Sequence, residues 1–167
     1  MISEKEYNSA VKDYTKNLFR YLFKSLRDED ASKDIVQDCF LKLWDNRKKM
    51  NDTSKIKSWL FSVAHNLMLN YLKTQSRKTE LDDFNTARHS TFQVNYELKE
   101  IIEKGLAELS AKERSIVLLR DLEGYNYQEI GEILKLNESQ VKVYLFRARQ
   151  KLKESITQLT AVYDKKS

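Results

Sequence analysis

YQEIGEILKLNESQVKVYLFRARQKL, residues 127–152, is the stretch that decides the fold of this chain. Ile130, Ile133 and Leu134 share one face of a short helix, and Leu136 with Asn137 makes a turn. Asn137 stands as an N-cap, its side-chain oxygen ready to accept from the amides of the next helix. That helix repeats apolar residues at Val141, Leu145, Ala148 and Leu152, one stripe to bury. Lys142, Arg147, Arg149, Lys151 and Lys153 fall largely off it. A short helix, a tight turn and a longer helix with a cationic outer side is how a helix-turn-helix presents side chains to a DNA major groove. A hairpin that merely caps a bundle, with solvated Lys and Arg, would carry the same pattern, so the rest of the chain must decide.

The chain has 167 residues, no proline and only three glycines, and it is rich in Leu, Lys, Glu and Ile. Few turn signals and many helix formers predict an all-α protein. The single Cys39 excludes an internal disulfide and a multi-cysteine metal site, which fits a reducing cytoplasm. No apolar run approaches a membrane span, and the first ten residues carry no signal-peptide core, so a cytoplasmic protein without membrane insertion is expected. The net charge is +5, and its distribution says more than its size. Residues 1–78 carry 16 basic and 10 acidic side chains, residues 79–104 carry 3 and 6, and residues 105–167 carry 11 and 9. Two basic ends around an acidic middle suit two nucleic-acid-facing modules on a linker.

Three helices are expected in the first module, residues 1–77. Tyr14, Leu18, Tyr21, Leu22 and Leu26 recur at threes and fours; Ile35, Val36, Phe40, Leu43 and Trp44 follow a charged break at residues 27–30. A third helix begins near Lys55 and carries Ile56, Trp59, Leu60, Val63, Leu67, Tyr71 and Leu72. Such helices can close a small core rich in aromatic rings. Periodicity then fades from about Lys73, and residues 78–94 read as a flexible linker. The second module, residues 95–167, is expected to hold four helices. Ser110 and Glu113 form a capping box, Gly124 suits a position just past a helix end, and Asn126 with Glu129 repeats the capping logic. The fold class is therefore all-α, two small helical domains on a linker, the second containing the helix-turn-helix.

Several pieces together resemble the sigma-70 RNA polymerase sigma factors, specifically the short extracytoplasmic-function (ECF) group. Asp34-Ile-Val-Gln-Asp-Cys-Phe-Leu-Lys-Leu-Trp44 is similar to the region-two helix that docks on the polymerase clamp. Trp59-Leu-Phe-Ser-Val-Ala-His-Asn66 with Leu69-Asn70-Tyr71-Leu72 resembles the promoter-melting and −10-reading part of region two. Residues 109–120 resemble the start of region four, and Tyr127-Gln-Glu-Ile-Gly131 with residues 141–152 its helix-turn-helix. Each piece is weak alone; the ordered set, spanning nearly the whole chain, is specific. The sequence also departs from the pattern. Gly131 stands where Ala is usual, at up to about 1 kcal/mol in helix propensity. Gln140 stands for Thr, Asn70 for Asp, and the basic tail after Asn70 is thin, which weakens any transfer of base preferences.

The resemblance implies three binding surfaces. For the −35 element, Ser139, Gln140, Lys142 and Val143 are candidates for base edges. Arg147 can reach a base or a phosphate, and Arg149 and Lys151 are candidates for phosphates. Gln can pair bidentately with adenine and Lys with guanine, each worth about 1–3 kcal/mol of discrimination. Tyr144 and Phe146 are ambiguous, packed beneath the helix or touching thymine methyls, and Phe146 is counted among the −35 candidates. For the −10 element and melting, trapping an exposed base takes polar groups for its edge and cations for its backbone. Lys48, Lys57 and Lys73 supply cations, as do Lys49 and Lys55; Asn51, Thr53 and Ser54 line a polar loop; Asn66 and Asn70 share a helix face. Asp34, Gln37, Asp38 and Lys42 form a polar ridge for docking on core polymerase, although a solvated face would look the same. Trp59 reads as core, and His65 as a surface or helix-packing residue with no acid–base partner. In the acidic linker, Asp82 and Asp83 either mimic nucleic-acid phosphates in the polymerase channels or belong to a plain tether.

The implied function is that of an ECF sigma factor that binds core RNA polymerase, recognises −10 and −35 promoter DNA and assists melting, with an anti-sigma factor as a further implied partner. The competing reading is a stand-alone helix-turn-helix regulator whose first module senses a ligand or dimerises. A sensor should offer a cavity or a dimer seam, whereas this module offers a Trp-bearing helix pair and a Lys-bearing loop. An enzyme is disfavoured: no Gly-rich phosphate loop, metal-ligand cluster or nucleophile–base pair is present, so no cofactor and no metal are expected.

Overall fold

The charged break at residues 27–30 is where the first helix stops and the second starts. In the structure, a computed structural model that describes residues 1–81 and 98–165, α1 (Glu4–Leu26) ends on Arg27, held left-handed at φ 55°. Asp28 then caps α2 (Glu29–Asn46) by accepting from the Ala31 amide. A single 3-10 turn, Thr53–Lys55, leads into α3 (Ile56–Leu81). The second module contains α4 (Leu98–Glu108), α5 (Ala111–Val117), a π-helical turn (Leu118–Leu122), α6 (Tyr127–Leu134) and α7 (Glu138–Asp164). Among the described residues there is no strand, and the chain is all-α.

The first core forms where α1, α2 and α3 turn their apolar stripes inward: Leu18, Tyr21 and Leu22 against Cys39, Leu43, Leu60, Phe61 and Met68. Burying each such aliphatic side chain contributes about 1.5–3 kcal/mol, which outweighs the modest propensities of any one helix. Ile2 joins this core, and its amide donates to the Arg47 carbonyl (2.9 Å), so the module begins before the helix that announces it. Cys39 is buried and its thiol pKa is pushed up to about 12 by burial, so it is an inert packing residue.

One boundary differs from expectation. Helix α3 continues to Leu81, nine residues past Leu72, where the apolar periodicity fades. Its last turns (residues 73–79) consist mainly of Lys, Thr, Gln, Ser and Arg, several of them good helix formers that expose their side chains and leave no apolar stripe to read. The rest of the expected linker, with Asp82 and Asp83, lies outside the described residues.

In the second module the expected caps are present. Ser110 with Glu113 and Asn126 with Glu129 form reciprocal capping boxes. Gly124 adopts φ +76°, a conformation that favours glycine. Gly131 is required by close approach: a Cβ there would lie 2.5 Å from the Leu136 carbonyl oxygen, whose residue returns its amide to the Gly131 carbonyl (2.9 Å). The tight turn thus repays the helix propensity lost at this position.

The two modules are packed together. Phe61 of α3 meets Tyr125 edge-on (centroids 5.3 Å) and Tyr21 at 5.5 Å, so one buried cluster runs through both cores. Neither the periodicity nor the charge pattern of the chain announces this contact.

Candidate nucleic-acid interface

Helix α7 is anchored by Val141, Leu145 and Ala148, all buried against α5 and α6. With these inward, the 100° step of the helix turns Ser139, Gln140, Lys142, Val143, Phe146 and Arg147 outward, and all six are exposed. Val143 is 47% and Phe146 64% exposed. An uncovered Phe in the middle of a polar helix face marks a contact surface. Arg147 has no intramolecular partner among the described residues. Tyr144 resolves inward: its ring carries the Lys112 ammonium of α5 at 4.2 Å.

The other candidates on α7 are engaged to different degrees. Gln140 completes a capping box with Asn137: its amide donates to Asn137 Oδ1 (2.8 Å), while its Oε1 accepts from the Asn137 amide (2.9 Å). Bidentate pairing with adenine needs that same Oε1 as an acceptor. Gln140 therefore reaches a base by donating from Nε2, or gives up the cap. Lys142 pairs with Glu138 one turn back (3.4 Å). Arg149 and Lys151 flank the exposed face on either side. Arg149 forks onto Asp121 of the π-helical turn (2.5 and 3.1 Å), a bond that raises its pKa. Lys151 pairs with Glu113 of α5 (2.8 Å), and this bond is the main cause of the lowered Glu113 pKa. Both cations are exposed, so these pairs are weak and exchangeable for phosphates.

The residues expected at the −10 surface separate into three groups. Asn66, Asn70 and Lys73 share one exposed ridge of α3. Lys48, Asn51, Thr53 and Ser54 lie exposed in the preceding loop. Within it, Asp52 caps the 3-10 turn, taking the Ser54 amide (2.9 Å) and hydroxyl (2.6 Å), and Asn51 Oδ1 accepts from the Met1 nitrogen (3.0 Å). Lys57 stands apart: nine residues from Asn66, half a turn around α3, it projects toward the second module with its ammonium 4.6 Å from the Tyr125 ring centroid. The structure does not bring Lys57 onto the ridge of Asn66 and Asn70.

On α2, Asp34, Gln37, Asp38 and Lys42 are all exposed on one side, opposite the buried Ile35, Cys39 and Leu43. The same ridge carries Leu41, 62% exposed and off the buried stripe of α2. Its signal was present: Leu41 lies four residues after Gln37, out of register with the buried set.

Behind α3, His65 is buried and bonded, more than a packing residue. Its Nδ1 lies 3.1 Å from the Tyr21 hydroxyl and 3.1 Å from Ser115 Oγ, which are themselves 2.9 Å apart. One hydroxyl can donate to Nδ1 while the other donates to its hydroxyl neighbour, so a neutral ring with its proton on Nε2 satisfies all three groups. Burial, with the Lys112 charge adding to it, lowers the His65 pKa to about 4. Sequence separations of 44, 50 and 94 residues hide such a cluster from any local pattern.

No helix among the described residues is long and apolar enough to cross a membrane. Nor do they hold a group of three or more His, Cys, Asp or Glu side chains suited to a metal ion.

Two helical modules, the second presenting an uncovered helix-turn-helix face, define a helix-turn-helix protein. Residues 10–78 match the family model "Sigma-70 region 2" and residues 99–152 match "Sigma-70, region 4". The chain is 30% identical to the ECF RNA polymerase sigma factor SigM of Bacillus subtilis, over 84% of this chain and 88% of that protein. It is 27% identical to RNA polymerase sigma factor YlaC of the same organism, over 87% and 89%. The fold is similar to that of the sigma factor RpoE in its complex with NepR from Bartonella quintana (TM-score 0.74, 21% identity, 92% of this chain and 98% of that one). It is also similar to CnrH in complex with the cytosolic domain of CnrY (TM-score 0.68, 21% identity, 99% and 92%). The chain belongs to the ECF group of the sigma-70 family, the initiation factors that give RNA polymerase its promoter recognition.

Proposed function

We propose that the outward face of α7 reads the −35 element, that the Asn66, Asn70 and Lys73 ridge with the loop before α3 holds the −10 element and assists melting, and that the α2 ridge docks on core polymerase. The observation that carries this is the pairing of two uncovered apolar side chains with polar recognition groups: Phe146 beside Arg147 on α7, and Leu41 between Gln37, Asp38 and Lys42 on α2. A desolvated apolar anchor ringed by polar groups is the usual anatomy of a binding hot spot. Ser139, Lys142 and Val143 approach base edges, Gln140 donates to them, and Arg149 and Lys151 set affinity and salt dependence through phosphates.

The division of labour is 1–77 for polymerase and the −10 element and 95–167 for the −35 element, joined by 78–94. The protein acts in the cytoplasm as an initiation factor and is not itself a catalyst. An anti-sigma factor is its regulatory partner, a reading supported by the RpoE relative, whose structure is of a complex with the anti-sigma factor NepR. A stand-alone regulator is the weaker reading, because the chain matches both sigma regions in order.

Docking is tested by Leu41→Asp and by the pair Gln37→Ala and Asp38→Ala, measuring affinity for core RNA polymerase alongside helix content. Loss of binding by about tenfold or more with the fold intact is expected for a hot-spot residue. Unchanged affinity in correctly folded variants would remove α2 as the docking surface.

A further inference from the structure

The loop between α2 and α3, residues 47–52, carries part of the proposed −10 surface, and it is exposed apart from the partly buried Arg47 and Met50. Little within it sets its shape. Lys49 donates its amide to the Asn46 carbonyl behind it (2.9 Å), and Asp52 caps the 3-10 turn ahead of it. An open cleft lined by Ser3, Ser9, Asp13, Tyr14, Thr53 and Ile56 lies between that turn and the side of α1. A polar loop with so few bonds of its own samples many shapes, and every residue it must order on binding weakens its hold on a ligand.

What holds the loop is the stretch before α1. Ile2 is 2% exposed in the first core, and its amide donates to the carbonyl of Arg47, the first residue of the loop (2.9 Å). Near the other end, Asn51 Oδ1 accepts from the Met1 nitrogen (3.0 Å). Among the described residues, these are the two hydrogen bonds that tie residues 47–52 to a part of the chain distant in sequence. The stretch is itself fixed. Ser3 and Glu6 close a reciprocal capping box at the start of α1, with Glu6 Oε2 accepting from the Ser3 amide (2.8 Å). One turn on, Tyr7 meets Trp44 of α2 edge-on (centroids 4.9 Å) and donates its hydroxyl to the Phe40 carbonyl (3.1 Å). The Arg47 guanidinium lies on the same Trp44 ring, 3.8 Å from its centroid. The bond from Met1 also orients Asn51: with Oδ1 accepting inside the protein, Nδ2 is left to donate outward, toward an acceptor on a base edge.

We infer that residues 1–3 are a strap that positions the −10 loop, with Ile2 as its anchor. Ile2 is a positioning residue: it touches no DNA, and it acts by fixing where Arg47 and Asn51 stand. This rests on the −10 reading above. It places one determinant of −10 base preference outside the loop and the helix that meet the DNA, in a buried side chain more than forty positions earlier in the chain. A site held in shape before binding spends none of its affinity on ordering itself.

The experiment assembles holoenzyme from core RNA polymerase with the parent chain, Ile2→Leu or Ile2→Gln. Each captures DNA from a pool of short randomised single strands and from a pool of randomised duplexes, and the captured DNA is sequenced. Hydrogen exchange of residues 47–54 is followed in the free proteins. Leu keeps an apolar anchor of equal volume, whereas Gln puts a polar group into the core. Ile2→Gln is expected to speed exchange in the loop and to lower the single-strand sequence preference by about fivefold or more, the scale of ordering one further residue. Its duplex preference, read by α7, and its affinity for core polymerase should match the parent, and Ile2→Leu should match throughout. Where Ile2→Gln lacks the parent's helix content, Ile2→Ala takes its place with the same expectation. An unchanged single-strand preference in the folded variant overturns the strap. Single-strand and duplex preferences that fall together also overturn it, since Ile2 then serves only the stability of the fold. A parent holoenzyme that enriches no single-stranded motif overturns the −10 reading and the recognition role with it; faster loop exchange in Ile2→Gln would then still show the tether.

Discussion

The two proposed DNA surfaces are built differently. On α7 one helix supplies every contact, its inner stripe is locked by Val141, Leu145 and Ala148, and Arg147 and Phe146 stand uncovered. At the head of α3, the candidates come from a loop and a helix, and several are already engaged: Ser54 by Asp52, Asn51 by Met1, Lys57 by Tyr125. A single amphipathic helix fixes its outer face as soon as its inner face is buried. A composite surface depends on what packs behind it, here His65 and the second module.

The largest expected effect tests the support behind α3. His65 is neutral in the fold, with a pKa near 4 against an ordinary 6.5. Because the unfolded chain takes up the proton first, the contribution from the neutral ring is intact above about pH 6.5. It declines as the pH falls and is lost by about pH 4, a total of about 3 kcal/mol. Denaturant melts across that range should show the decline, and His65→Gln should flatten it; an unchanged slope in the variant would separate His65 from the stability of this surface. Next, Arg147→Ala should cost about 1–3 kcal/mol in initiation from −35-dependent promoters, while Lys57→Ala costs less. Equal losses in transcription assays would erase the contrast between the free and the engaged surface.

Smaller effects sharpen the α7 side. Gly131→Ala should lower stability by about 1 kcal/mol, because the clash with the Leu136 carbonyl exceeds the gain in helix propensity. A raised melting temperature would mean that the turn gives way at no cost. Gln140→Glu keeps an oxygen for the Asn137 amide and should leave melting nearly unchanged while removing the Nε2 donor, so the variant loses its base preference without losing its helix. Smallest of all, Asp121→Ala releases Arg149 and should tighten binding to −35 duplex by about twofold at low salt, fading as salt rises.

Much of this was legible because it is local. Capping boxes at Ser110 and Asn126, the Asn137 cap and the stripes of α1, α2 and α7 all act within a turn or two of sequence, and the structure contains each of them. At Gly131 the sequence shows only a propensity loss, because the approach of Leu136 is invisible until the turn is closed. The polar end of α3 lacked the periodicity by which helices are recognised. Leu41 carries no periodic signal because it lies off the buried stripe of its helix. The Tyr21, His65 and Ser115 contact between the modules was beyond reach, since it joins residues 44 to 94 positions apart with no repeating signal.

The most direct test of the central claim is to add the purified protein to core RNA polymerase and sequence the 5′ ends of transcripts made from genomic DNA. A sigma factor with these two surfaces predicts a defined set of new start sites, each preceded by shared −10 and −35 elements and reduced by Arg147→Ala. Start sites no different from those of core polymerase alone would contradict it.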